Sequence, residues 1–161
     1  MAAVKQLGHL VLRVGDLDKS VNFYKEILGL SVTTVRPGGM MVFMSARGNA
    51  SHELALIDAK DAPKDGREKG IGLVHFAWEM ASLDELRETY RKCVEQGMTI
   101  DGIADHGVSL GFYFSDPDGN EIELFHELPP SEWPQKGYLF AGEFPGTLEG
   151  QAGEKLTDAR L

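Results

Sequence analysis

The chain has 161 residues, enough for one domain, or for two small modules, with a core that needs no covalent staple. Its 42% apolar and 25% charged residues match a soluble globular composition and exclude disorder as its main character. Twenty-five acidic against 16 basic residues give a formal net charge of −9, which repels phosphate backbones and anionic lipid and so predicts no nucleic-acid and no membrane partner.

No apolar run approaches the roughly 18–20 residues of a membrane span. The opening MAAVKQLGHLVLRVGD lacks the apolar core of a signal peptide. Cys93 is the lone cysteine, so no internal disulfide can form. A reducing, cytoplasmic setting is predicted.

Residues 7–14 alternate, with Leu10, Leu12 and Val14 on one parity and His9, Val11 and Arg13 on the other, which predicts a strand. A helix follows, with Asp16 as N-cap, a stripe of Leu17, Val21, Tyr24 and Leu28, and Gly29 just past its end. Three β-rich runs come next, over 30–36, 40–46 and 51–58, broken at Pro37-Gly38-Gly39 and at Arg47-Gly48-Asn49.

The polar stretch DAKDAPKDGREKG predicts a linker or loop, and after it the order repeats. Residues 72–80 alternate again, with Val74, Phe76, Trp78 and Met80 against His75, Ala77 and Glu79. Ser82 and Glu85 form a capping box ahead of a helix with the stripe Leu83, Leu86, Tyr90 and Val94, closed by Gly97. Strands are predicted over 98–104, 108–115 and 121–126, the last two joined by the turn DPDGN.

The two halves share one element order at an offset of 66 residues, with His9 on His75, Leu17 on Leu83, Asp18 on Asp84 and Tyr24 on Tyr90. This argues for an internal duplication. The fold class expected is α+β: two βαβββ modules, 5–58 and 70–127, pairing within a domain of residues 1–127 into a metal-binding half-barrel cup. Residues 128–161 form a tail carrying Trp133, Tyr138, Phe140 and Phe144, which suits docking on its own domain or on a neighbouring subunit. From Gly150 onward the tail is expected to fray.

Each helix must cover one face of its sheet, and the apolar parity marks that face. The opposite parity holds His9, His75 and Glu123. Two imidazoles and one carboxylate are the donor set of the facial triad of non-haem Fe(II) sites, which leaves three positions open for a chelating substrate and O₂. Cys93 reads as a small packed residue, His126 as structural, and Gly38-Gly39 as a hairpin rather than a phosphate loop.

The order GHLVLRV, GLVHFAWEM and DPDGNEIELF resembles the vicinal oxygen chelate superfamily. That superfamily includes glyoxalase I, fosfomycin and bleomycin resistance proteins, methylmalonyl-CoA epimerase and type I extradiol dioxygenases. The resemblance spans about residues 5–127 and implies a metal cup with His9, His75 and Glu123 as ligands. The stretch DHGVSLGFYFSDPDGNEIEL is most similar to small single-domain catechol 2,3-dioxygenase-like proteins.

This implies Fe(II), with Mn²⁺, Ni²⁺ and Zn²⁺ as alternatives, and a ring-cleaving reaction of a small aromatic diol with O₂. It further implies that His106 and Tyr113 serve the substrate oxygens and that His52 is the acid–base group. Members of the superfamily often dimerise, so a homodimer is expected.

By strand parity, however, His52 lies with Leu54 and Leu56 on the covered face, and Glu53 lies toward the cup. Glu53 would then be a fourth ligand of the glyoxalase I kind, and the activity an isomerisation or epimerisation. A drug-binding resistance protein without metal, or a thiol transferase acting on fosfomycin, are the remaining readings. An intact triad counts against the first, and the lack of a Lys and Arg cluster for a phosphonate counts against the second.

Overall fold

The computed structural model describes residues 4–48, 50–62, 71–133 and 148. Part of the predicted linker, most of the aromatic tail and the chain beyond Gly150 lie outside the described residues. The chain divides into two compact units, Met1–Gly66 and Arg67–Leu161. Each has the order strand, helix, three strands, so the chain is α+β and built of two βαβββ modules.

In the first unit, β1 (Leu10–Val14) leads into α1 (Leu17–Glu26), followed by β2 (Ser31–Val35), β3 (Met41–Ser45) and β4 (Leu54–Asp58). The sheet order is β1-β4-β3-β2, with β1 parallel to β4 and the other pairs antiparallel. Asp16 takes an extended backbone and its Oδ1 accepts the Lys19 N–H at 3.0 Å, which satisfies an otherwise orphaned helix donor. Gly29 ends the helix at φ 68°, a conformation that costs glycine little.

The buried stripe of α1 is Ser20 and Tyr24, continued by Ile27 at its C-cap. It is centred one residue from the predicted Leu17–Val21–Tyr24–Leu28 line. The hydroxymethyl of Ser20 is small enough to sit under the sheet, so the bulkier Val21 is left half-buried at the margin. Leu12, Val14, Val42, Met44, Leu54 and Leu56 complete this core.

In the second unit, β5 (His75–Glu79) and α2 (Leu83–Glu95) precede β6 (Ile100–Asp105), β7 (Ser109–Ser115) and β8 (Glu121–Glu127), in the sheet order β5-β8-β7-β6. Ser82 Oγ accepts the Glu85 N–H at 3.2 Å, one half of the predicted capping box. The buried stripe of α2 is Leu86, Tyr90 and Cys93, packed with Phe112, Phe114, Ile122 and Leu124. Val94, predicted in the stripe, is exposed because the adjacent Cys93 takes the buried position instead. That burial pushes the Cys93 thiol up to about 11.

Val74, predicted on the covered parity, precedes β5 and is exposed. The DPDGN turn is knitted by the Asp116 carboxylate, which accepts the Asp118 and Asn120 N–H groups at 2.9 and 2.8 Å and the Asn120 side chain at 2.8 Å. Among the described residues no helix is long and apolar enough to cross a membrane.

Candidate functional site

Register, more than sequence distance, decides which side chains meet. In the second unit β5 and β8 run parallel, pairing His75 with Glu121 and Ala77 with Glu123. On the other side of β8, Tyr113 of β7 stands directly opposite Glu123. Paired residues point to the same face of a sheet, so His75, Glu123 and Tyr113 share one face, opposite the one covered by α2. His106 closes the β6–β7 hairpin, where the Asp105 carboxylate accepts the Gly107 N–H at 2.7 Å and Ser109 O accepts the His106 N–H at 2.9 Å.

The four side chains form one cluster. His75 Nε2 lies 3.3 Å from Glu123 Oε2, and His106 Nε2 lies 3.6 Å from Glu123 Oε1 and 3.0 Å from Tyr113 Oη. Glu123 and Tyr113 are buried, with 8% and 5% of their surface exposed. The His75 ring stands edge-on to the Tyr113 ring with centroids 5.5 Å apart. Burial pushes the Glu123 carboxyl up, but hydrogen bonds from His106 and Tyr113 and the charges of His106 and His75 outweigh it, so it stays below the usual carboxylate range. Burial, then the Glu123 charge, raises the Tyr113 phenol far above its ordinary value, so it remains a proton donor.

Glu123 needs room to sit among these partners, and Gly111 leaves it. A Cβ at Gly111 would come within 2.9 Å of Leu124 O, 3.1 Å of Phe125 Cβ and 3.2 Å of Glu123 Oε1. Alternation along β7 puts Gly111 on the face of Tyr113, which is the signal in the sequence that could have identified it.

Among the described residues no group of three or more His, Cys, Asp or Glu side chains is gathered as a metal site, and His75 and Glu123 supply one imidazole and one carboxylate, donor types that a divalent ion takes. Nitrogen and carboxylate ligands at about 2.0–2.2 Å, subtending roughly 90–110° at an ion, stand about 3.0–3.4 Å apart. The His75–Glu123 separation of 3.3 Å suits two neighbouring ligands of that kind.

In the first unit, His9 is exposed and immediately precedes β1. Its ring lies 4.5 Å from that of His52, tilted by 39°, and the Phe43 ring meets His52 edge-on at 5.0 Å. This corrects the parity reading, which put His52 on the covered face with Leu54 and Leu56. The regular strand begins only at Leu54, so alternation does not carry back through Glu53 to His52.

Glu53 is held by the residues that follow β3. Its carboxylate accepts the Ala46 N–H at 3.0 Å and pairs with the Arg47 guanidinium. Hydrogen bonds from Arg47, Ser45 and Ala46 outweigh the opposing effect of burial and hold Glu53 below the usual carboxylate range. Phe43, Ser51 and Gly111 are site neighbours that the sequence did not single out. His126 is structural, its Nδ1 lying 3.1 Å from Met80 O. Of the tail aromatics, only Trp133 lies within the described residues, and its indole N–H donates to Leu128 O at 2.7 Å.

The family model described as Glyoxalase/Bleomycin resistance protein/Dioxygenase superfamily matches residues 6–124. A catechol-2,3-dioxygenase of Bacillus subtilis is 29% identical over 158 residues, covering 94% of this chain and 54% of that protein. A probable lactoylglutathione lyase of Synechocystis is 31% identical over 125 residues, covering 73% of this chain and 92% of that protein. A glyoxalase/dioxygenase crystal structure from Nostoc punctiforme superposes with a TM-score of 0.66 at 22% identity, over 78% of this chain and 92% of that one. The chain spans only 54% and 64% of the first two curated relatives it matches. The chain belongs to this superfamily.

Proposed function

From membership of the glyoxalase, bleomycin resistance and dioxygenase superfamily, we propose that the chain is a metal-dependent extradiol dioxygenase that opens the ring of a catechol-like aromatic diol with O₂. His9, His75 and Glu123 are the metal ligands, and Fe(II) is the ion. The domain is residues 1–127, with 128–161 as an appended tail, in a cytoplasmic homodimer.

The observation that carries the reading over its isomerase rival is a register equivalence. Val11 and Ala77 each lie two residues after a repeat-equivalent histidine. Across the parallel ladder, Ala77 faces Glu123 and Val11 faces Ala55. The place in the first module that matches Glu123 therefore holds a methyl group, which cannot ligate. Glu53 is engaged by Arg47 and the Ala46 N–H. This supports a two-histidine, one-carboxylate set over the four-ligand site of the glyoxalase I kind.

His9, His75 and Glu123 would hold a ferrous ion, which would supply the positive charge that favours the diolate and the redox centre for the oxygen chemistry. The chain's residues handle the protons. His52 takes a proton from one diol hydroxyl and returns it as the ring opens. The Tyr113 phenol is kept protonated by burial and by Glu123, and when substrate binds its single proton turns from Glu123 to a substrate oxygen. His106, 3.0 Å from that phenol, fixes its direction. Both oxygen atoms enter the product as the ring bond beside the diol breaks, so no external reductant is required.

The test is anaerobic loading with Fe(II), addition of a catechol panel, and admission of air while O₂ and visible absorbance are followed. Oxygen uptake with a yellow ring-opened product, lost in His9→Ala, is the expected result. Tightly bound metal with no uptake on any diol would sink the proposal and favour the isomerase.

A further inference from the structure

The strand pairing β2–β3 carries a bulge between Val32 and Thr34, which frees Thr33 from the ladder. The Thr33 hydroxyl lies 2.7 Å from Ser51 O and 3.2 Å from Phe43 O. It thus ties the loop before β4 to the middle of the sheet. Ser51 Oγ in turn lies 3.1 Å from His52 Nδ1. The remaining sides of the His52 imidazole meet the rings of Phe43 and His9. A serine beside a histidine in sequence holds the ring only if its own backbone is fixed, and here Thr33 fixes it.

We propose that Ser51 is a positioning residue for His52. Its hydroxyl accepts the Nδ1–H of the neutral imidazole, so the lone pair stays on Nε2, and Thr33 holds the Ser51 backbone where this bond can form. Which ring nitrogen bears the proton is set by the hydrogen bond the other one lacks or makes. An imidazole left to water prefers the proton on Nε2, so a base acting through Nε2 needs a partner at Nδ1. The proposal rests on the reading of His52 as the proton acceptor for its use, but not for its geometry.

The test is long-range ¹H–¹⁵N NMR of metal-free, ¹⁵N-histidine-labelled protein at alkaline pH, with His52→Ala identifying the signals. In the wild type, the proton should sit on Nδ1 and Nε2 should be bare. Ser51→Ala should move the proton to Nε2, Ser51→Thr should restore it, and Thr33→Val should give a mixture. In the ring-cleavage assay, Ser51→Ala should lower kcat roughly fivefold to tenfold with KM unchanged, the cost of one hydrogen bond. A wild type protonated on Nε2, or a Ser51→Ala spectrum like that of the wild type, overturns the assignment, even if kcat falls. The expected spectra with no ring cleavage by the wild type would strike the proposed reaction alone.

Discussion

The two modules share a ladder and differ in what it carries. In the second, β7 and β8 set Tyr113 against Glu123, and in the first, β3 and β4 set Phe43 against Ala55 at the matching place. Two residues away, the pair is Gly111 with Phe125 in one and Met41 with Ile57 in the other. A phenol, a carboxylate and an empty Cα thus correspond to a phenyl, a methyl and a thioether. The two scaffolds match strand for strand, and among the described residues the second carries buried Glu123 and Tyr113 where the first carries Ala55 and Phe43. The first offers an exposed imidazole, His9, against a second ring, His52. The chemistry of this fold therefore follows the residues at a few register positions and is not dictated by the scaffold.

The largest effect should come from emptying the loaded position. Glu123→Ala removes a proposed ligand and leaves His75, His106 and Tyr113 without the group that joins them. Metal affinity should fall by at least about a hundredfold, since even groups that only support ligands are worth ten- to a hundredfold. Isothermal titration with Fe(II) or a surrogate divalent ion reads this. Unchanged affinity would erase the asymmetry between the modules. Next in size is the phenol. Tyr113→Phe should lower turnover roughly ten- to a hundredfold, the worth of a hydrogen bond to a charged partner. It should also raise the Glu123 carboxyl in metal-free protein, because a bond that lowers it is gone, which ¹³C NMR titration measures.

Much of this was legible in the sequence, for definable reasons. Alternation in β1, β5 and β8 and the repeat of His9 at His75 gave the strands, the module order and the face shared by His75 and Glu123. Those are period-two patterns over complete strands. The failures fall where periodicity stops. His52 sits just before β4, and parity extended past the strand end put it on the covered face, whereas its ring meets those of His9 and Phe43. Ser20 and Cys93 displaced Val21 and Val94 from the helix stripes because small side chains pack where hydropathy alone expects larger ones. Gly111 was invisible because its contribution is absent volume, and only the register of Leu124 and Glu123 beside it shows that volume to be needed.

That volume gives the next prediction. Gly111→Ala should cost about 1–3 kcal/mol through overpacking, and each kcal/mol should lower Tm by about 2–4 °C in a chain this long. It should weaken metal binding as well, since Glu123 Oε1 must move. Gly8→Ala is the control from the first module, because a Cβ there meets nothing within 4 Å. Its stability should stay within about 0.5 kcal/mol of the wild type. Equal losses from the two substitutions would mean that crowding around Glu123 is not special.

The smallest effect concerns acid, and it separates the two carboxylates by module. Glu53 and Glu123 are both held below the ordinary carboxylate range in the folded chain. On lowering the pH, the unfolded chain therefore binds their protons first, near the ordinary glutamate value of about 4.3. Their stabilising contribution is complete above that value and declines as pH falls through the lower folded values. Glu53→Gln removes the share of the first module, where the pair with Arg47 is partly open to solvent and the expected gain is correspondingly small. The urea midpoint of the wild type should exceed that of Glu53→Gln modestly at pH 7, and the gap should close as the pH falls below about 4. Glu123 lies in the other module and remains in both proteins, so each should still lose stability in acid. If the gap instead widened in acid, Glu53 would be stabilised in its protonated form, and the Arg47 pair would not be what holds the loop between β3 and β4.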